Sequence, residues 1–294
     1  MFFFLSVKIK KFVYSLILAI VTAIFVVVIP SFSQVVQITP SNPQLGDTIS
    51  VVIQQPDRQI STPTVTMDGK TYPSFSIGQN RFRALLPTTP LDKSGLRQLQ
   101  VTTNIGMQNL TVNLQNRSFP TQSIWLPPEK ESIKGTDLEF ERVEAFKQLV
   151  TPEKFWNDPF VRPNNGPVST VYGVQRYYNG EFAEDYYHRG VDYADYNGSP
   201  VVAPAPGRIA LVGLESQGFK IHGNTVGIDH GQGVTSILIH LSYVNVKEGS
   251  MVEAGQKIGT VGSTGASTGP HLHWGLYVHG QAVDPIPWRY YGIE

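Results

Sequence analysis

The sequence predicts a mostly β protein: an N-terminal β-sandwich of immunoglobulin-like type, a short helical connector, and a C-terminal domain of antiparallel sheet. Three observations lead there. Between residues 34 and 117, seven short runs alternate apolar and polar side chains, with Pro, Gly, Asn or Asp clusters between them. A stretch at about 137–149 carries apolar residues at helical spacing. Glycine then crowds into the C-terminal part: of 27 in the chain, six lie before residue 166 and 21 at or after it. All seven histidines also fall there, from His188 onward, so tight turns and imidazoles share one segment.

Composition narrows the class further. The chain has 294 residues, too many for one small domain and suited to two. Its 23 Lys and Arg balance 23 Asp and Glu, so no global basic field gathers nucleic acid. Cysteine is absent, which excludes disulfides, thiol nucleophiles, iron–sulfur clusters and Cys-ligated zinc. Any metal chemistry falls to His and carboxylates.

Residues 1–33 read as an export signal or a membrane anchor. Residues 12–29 are uncharged and apolar, and Lys8, Lys10 and Lys11 precede them. Ser31-Phe32-Ser33 places small residues where a signal peptidase reads, so cleavage before Gln34 is one expectation and retention in the membrane the other. Either way the rest of the chain is expected outside the inner membrane: in the periplasm or cell envelope, or secreted. Membrane contact is expected only through this segment.

Residues 34–117 follow as the β-sandwich domain, with runs VVQIT, TISVVIQ, TVTMDG, SFSIG, RFRALLP, LRQLQVTT and LTVNLQN. The domain has no His and few clustered carboxylates, so a structural role outweighs a wall- or partner-binding one. Residues 118–165 form the connector, stiffened by Pro127-Pro128. Thr136-Asp137-Leu138-Glu139 offers a capping box for a helix with Val143, Phe146 and Leu149 or Val150 on one side. Phe155, Trp156 and Phe160 add apolar surface, while Asp137, Glu139, Glu141 and Glu144 read as a solvated helix face. Residues 166–294 are β-rich again, from VSTVYGV through VTSILIHLS to HLHWGLYVHG.

Three pieces of that last segment can carry chemistry. His188 and Asp192 are four apart in an extended stretch and share a face. His271 and His273 are two apart and share one also. His240 ends a run in which Ile237, Ile239 and Leu241 alternate with it, which predicts a strand with those three in the core and the imidazole opposite, in a cleft. Imidazole with carboxylate is a zinc ligand set, and three protein ligands with an open fourth position make a catalytic site. His222, His230 and His279 lie in Gly-flanked loops or turns and read as structural; the aromatic loop of Tyr177, Tyr178, Tyr186 and Tyr187 reads equally as groove lining or packing.

HRGVDYAD, GNTVGIDHGQGVTSILIHLS and VEAGQKIGTVGSTGASTGPHLHWGLYVHGQAVDP resemble the M23 family of zinc metallopeptidases, of lysostaphin and LytM type, over about residues 166–287. The resemblance implies secreted or membrane-attached enzymes that cut peptide cross-links of bacterial peptidoglycan. It implies Zn2+ held by His188, Asp192 and His273, and His240 and His271 as the catalytic pair. Asp284 closes the last motif as a structural residue, and Gly262, Gly265 and Gly269 shape turns beside the cleft. One position departs: where the family often has Tyr, two residues before the catalytic His, this chain has Leu238. The rival reading is a non-catalytic relative that switches on a cell-wall amidase. Such relatives typically lack a ligand, and here every matched position is intact. A metallopeptidase acting on exported proteins is a third reading.

Overall fold

The structure is a computed structural model and describes residues 35–56, 61–104, 106–125, 134–291 and 293. The expected leader and Pro127-Pro128 lie outside the described residues. Alternation of small apolar and polar residues builds seven strands first: β1 Val35–Thr39, β2 Thr48–Gln54, β3 Thr64–Met67, β4 Lys70–Ser76, β5 Arg81–Pro87, β6 Gly95–Thr103 and β7 Gly106–Leu114. They pair in the order β1-β2-β5-β4-β3-β6-β7. Four strands and three strands face one another across a core of Ile49, Val51, Ile53, Val65, Leu99 and Val101. The two groups are joined through β4, whose Lys70–Pro73 pairs with β3 and whose Ser74–Ser76 pairs with β5. Pro73 sits at the handover, where a residue without an N–H interrupts no ladder.

The fourth strand starts at Lys70 and not at the expected Ser74. Asp68 and Gly69 both have positive φ, +48° and +84°, and form the two-residue hairpin turn that Asp-Gly favours. That turn brings Lys-Thr-Tyr into the strand despite its weak alternation.

The connector is more structured than a linker. Thr121–Ile124 forms β8, which pairs in parallel with β10 (Gln175–Tyr178), and β11 (Glu181–Phe182) completes that small sheet. The helix α1 spans Asp137–Lys147, two residues shorter than expected. Thr136 caps it, accepting from the Glu139 N–H at 3.1 Å. Val143 and Phe146 are buried and Leu149 packs beside them. Asp137, Glu141 and Glu144 are exposed as expected, but Glu139 is not: its relative exposure is 0 %. Its carboxylate turns away from the cap and under the following domain.

That domain is a curled antiparallel sheet along β17-β14-β15-β16-β19-β12-β9. Its strands are β9 Val168–Thr170, β12 Val191–Ala194, β13 Pro200–Val202, β14 Gly207–Gly213, β15 Asn224–Gly231, β16 Val234–Val244, β17 Met251–Val252, β18 Lys257–Val261, β19 His271–Val278 and β20 Gln281–Val283. β16 is the hinge of the curl. Its first half, to Ile239, pairs with β19, and its second half, from Leu241, pairs with β18. Trp274, Tyr193 and Phe219 fill the interior, each fully buried. The first seven-stranded sheet docks against this domain through polar anchors. Arg83 donates to Gln232 Oε1 at 2.5 Å, Trp288 Nε1 to Thr48 Oγ1 at 3.2 Å, and Arg117 pairs with Asp284 at 2.7 Å. Asp284 also accepts the Ile286 N–H at 2.9 Å, which is the structural part expected of it.

His230 is not at a turn. It lies in β15, fully buried, with Nδ1–H donating to Pro206 O at 2.8 Å and Nε2 accepting from Ser236 Oγ at 2.9 Å. Burial pushes its pKa down to about 4, so it folds neutral. The unfolded chain binds a proton at this ring below its ordinary pKa of about 6.5, whereas the folded one does not until about 4. Stability is therefore fully present above pH 6.5 and is lost as pH falls from there toward 4, with a limiting slope of about 1.4 kcal/mol per pH unit from this group. Urea unfolding between pH 4.5 and 7 is expected to show a slope smaller by about one proton in His230→Gln than in the unsubstituted chain.

Candidate metal centre

Three adjacent strands, β12, β19 and β16, carry the candidate groups. Asp192 on β12 stands directly opposite His273 on β19, and Ile239 on β16 opposes the other side of His273. Gly190 lets β12 lie this close, since a Cβ there would run into the Trp274 carbonyl and the His273 ring. His188 enters from the loop before β12. The donor atoms His188 Nε2, Asp192 Oδ1 and His273 Nδ1 converge: Nε2 is 3.0 Å from Oδ1 and 3.0 Å from Nδ1, and Nδ1 is 2.8 Å from Oδ1. All three residues are buried, with exposures of 3 %, 6 % and 8 %.

This donor set fits a cation. His188 Nδ1 lies 2.8 Å from Val171 O, and a carbonyl only accepts, so the proton is assigned there and Nε2 is left as a bare lone pair in the neutral ring. Two ring nitrogens and a carboxylate oxygen then point at one small volume, and a single positive ion at their centre satisfies all three. Burial would raise the Asp192 carboxyl, but the His188 and His273 imidazoles at its Oδ1 outweigh it and hold the group well below the usual carboxylate range. Burial pushes the His273 imidazole down to about 4. The cluster thus offers an anion and a neutral His273 ring, as a metal site needs.

His240 and His271 form a second pair beside the first, their ring centroids 4.8 Å apart. The His240 Nδ1–H donates to Thr264 O at 2.9 Å and the His271 Nδ1–H to Gly269 O at 2.8 Å, which leaves both Nε2 atoms free for the cleft. His271 Nε2 is 4.0 Å from Asp192 Oδ1. Burial pushes His240 down to about 3, with the neighbouring His271 and His273 adding to the shift. These five residues line a cleft of about 1210 Å³ together with Arg176 and Tyr186.

The route by which His240 reaches the cleft differs from the one its alternation predicts. Ile237 and Ile239 are in the core as expected, yet they also line the cleft, while Leu238 between them is buried and off it. His240 joins them because its backbone is left-handed, with φ +64°. The pairing of β15 with β16 steps from Asn224↔Leu241 to Val226↔Leu238, so β16 carries one extra residue there, a β-bulge. The bulge rotates the imidazole onto the face of Ile239. Leu238 is therefore a core residue and lies off the cleft wall. Of the aromatic loop, Tyr178, Tyr186 and Tyr187 line the cleft, and Arg176 donates to the hydroxyls of Tyr178 and Tyr186 at 3.3 and 2.8 Å. Arg176 was invisible to sequence reasoning, which looked for imidazoles and carboxylates. His222 also lines the cleft, through a contact described below.

Comparison with known proteins points the same way. A family model described as Peptidase family M23 matches residues 186–285. The DD-carboxypeptidase/endopeptidase Mpg of Neisseria meningitidis is 46 % identical over 99 residues, 34 % of this chain and 22 % of its own length. The peptidoglycan DD-endopeptidase ShyA of Vibrio cholerae is 39 % identical over 99 residues, and lysostaphin of Staphylococcus simulans 43 % over 105 residues. They match over 34 % of this chain and 22 % and 21 % of their own lengths, so the chain spans about a fifth of the curated relatives it matches. A Pseudomonas aeruginosa crystal structure assigned to peptidase M23 superimposes with a TM-score of 0.62 at 26 % identity, over 84 % of this chain and 94 % of that one. Residues 186–285, the greater part of the curled sheet, form a domain of peptidase family M23.

Proposed function

We propose that this protein is a zinc-dependent endopeptidase that hydrolyses peptide cross-links of bacterial peptidoglycan. The observation that carries the reading is the convergence of His188 Nε2, Asp192 Oδ1 and His273 Nδ1 within 3.0 Å of one another, with two further imidazoles beside them. M23 is a zinc metallopeptidase family, and of the relatives above one is named a peptidoglycan DD-endopeptidase and another a DD-carboxypeptidase/endopeptidase. His188, Asp192 and His273 would hold the ion. When bound, zinc polarises a scissile carbonyl and brings the pKa of a coordinated water toward neutrality.

The remaining work belongs to the chain. With Nδ1–H fixed on Thr264 O and Gly269 O, His240 and His271 each present Nε2 in one orientation. The low pKa of His240 keeps that ring neutral at pH 7, so its Nε2 can take a proton from the attacking water. A ring protonated at Nε2 is a donor, able to pass the proton to the leaving amine or to hydrogen-bond the oxyanion. Tyr178, Tyr186 and Arg176 give the cleft a polar wall on the other side, suited to the carbonyl-rich backbone of an extended peptide. We place the enzyme in the cell envelope or outside the cell, where this substrate is, with an N-terminal β-domain over residues 34–117 and the peptidase domain from 166.

Two alanine substitutions inside one tripeptide separate ligand from catalyst. His273→Ala removes one of three protein ligands, so zinc content measured on the purified protein is expected to fall sharply, and thermal stability with it. His271→Ala keeps the ligand set, so zinc stays near stoichiometric while hydrolysis slows by about two to four orders of magnitude. Zinc lost from the second and kept by the first would reverse the assignment.

The reading as a whole is tested on the unsubstituted protein. Isolated peptidoglycan is expected to release new peptide termini with it, to stop doing so when a chelator strips the metal, and to resume on zinc addition. A metal-free protein that releases no termini but stimulates a wall amidase would favour the activator reading.

A further inference from the structure

Glu139 stands 47 residues before the first residue of the family match, on a helix of the connector, yet its carboxylate lies under the catalytic cleft. Four donors converge on it. The backbone N–H groups of Lys220, Ile221 and His222 reach it at 2.9, 3.0 and 2.7 Å, and His222 Nδ1 at 2.6 Å. Burial would raise this carboxyl, but the hydrogen bonds with His222 and Ile221 hold it at about 2, so the group stays ionised inside the protein. A buried charge with this many donors is costly to leave half-satisfied, which makes the contact specific. Thr136, the cap of the same helix, donates to Gly218 O at 2.9 Å and ties down the start of the same loop.

What that loop holds is His240. The His240 N–H donates to His222 O at 3.0 Å. Its ring is fixed by Thr264 O, and residues 264–266 are in turn fixed on the loop: Ala266 N donates to Ile221 O at 2.9 Å, and Asn224 N to Thr264 Oγ1 at 2.9 Å. Gly265, at φ +69°, lets the two segments touch, since a Cβ there would run into the backbone of Ile221 and Gly223. Both constraints on His240, at its backbone and at its ring, therefore lead back to residues 220–222. His240 needs them. Its left-handed φ and bulged position are not what a strand residue adopts unaided.

We propose that Glu139 is a positioning residue of the hydrolytic site, holding His240 in its strained conformation through the backbone of residues 220–222. This rests on the hydrolase reading above. It makes the connector helix part of the active site through a residue that does not itself line the cleft.

The test uses the full chain. In Glu139→Gln the amide cannot accept from all four donors, because whichever way it turns its own NH2 faces at least one N–H. Zinc content is expected to stay stoichiometric and KM for a cross-linked wall peptide to stay within about twofold, while kcat falls about ten- to a hundredfold, the scale of a displaced catalytic group. The imidazole nitrogen signals of His240 are expected to shift in NMR spectra. His222→Ala retains the backbone N–H and C=O at 222, so its kcat is expected to fall less than that of Glu139→Gln. Unchanged kcat in folded Glu139→Gln, or a greater loss in His222→Ala, would overturn the proposal. If Glu139→Gln does not fold, Glu139→Asp keeps the charge but withdraws it by one methylene, and the same two readouts decide. Should the unsubstituted protein neither bind zinc nor hydrolyse, the hydrolase reading has failed on its own. The His240 signals of the metal-free protein then still judge the positioning: a shift in Glu139→Gln upholds it and no shift overturns it.

Discussion

The register between β12 and β19 is the constraint from which the rest follows. Because Asp192 faces His273 across that ladder, a carboxylate and an imidazole meet without either side chain reaching. A slip by one residue would send Asp192 and His273 to opposite faces, since side chains alternate along a strand. The slip is resisted by what flanks the pair. Val191 and Trp274 oppose each other one step along, both buried, and Trp274 Nε1 donates to Ser236 Oγ at 3.1 Å on the neighbouring strand. The same hydroxyl is bound by the buried His230, so core polar groups as well as apolar ones fix the register. Burial around this ladder also keeps the His273 ring neutral.

Rigid ladders alone do not complete the site. His240 departs from strand geometry at the point where β16 exchanges β19 for β18, and that departure is what turns its ring toward the other histidines. Regular sheet thus carries Asp192 and His273, while an irregularity carries His240, one of the groups that would move protons. Irregular backbone must be held from outside, and in this molecule the holding elements come from several places in the chain: the turn at 264–266, the loop at 220–222 and, beneath it, the connector helix.

Much of this was legible in the residues. Most strands of 34–117 follow their alternation of wet and dry faces, although β2 and β5 are buried nearly throughout, and the five residues singled out by the matched motifs lie around one cleft. Three features were not legible, for physical reasons. β4 gained four residues because a hairpin turn, and not their own pattern, extends it. That His240 shares the cleft with Ile237 and Ile239 was hidden because a bulge is a one-residue insertion relative to a partner strand, which a single run of sequence does not show. Glu139 was read as solvated since helix periodicity reports only what lies on the helix, and the partner that buries it, loop 220–222, is some eighty residues away, 83 in the case of His222.

The parallel pairing of β8 with β10 bears on how this kind of protein can be rearranged. Gln175, Arg176, Tyr177 and Tyr178 take their neighbours from Thr121 to Ile124, so a strand from the connector forms the far edge of the sheet that carries the cleft's arginine. A chain begun at residue 166 would leave that edge unpaired, with backbone donors and acceptors open to any other strand in reach. The portable unit, for fusion to a different domain or for transfer between proteins, therefore starts before Thr121 and includes α1. Swapping partners at the apparent end of the family motif would carry the ligands across and leave the cleft wall behind.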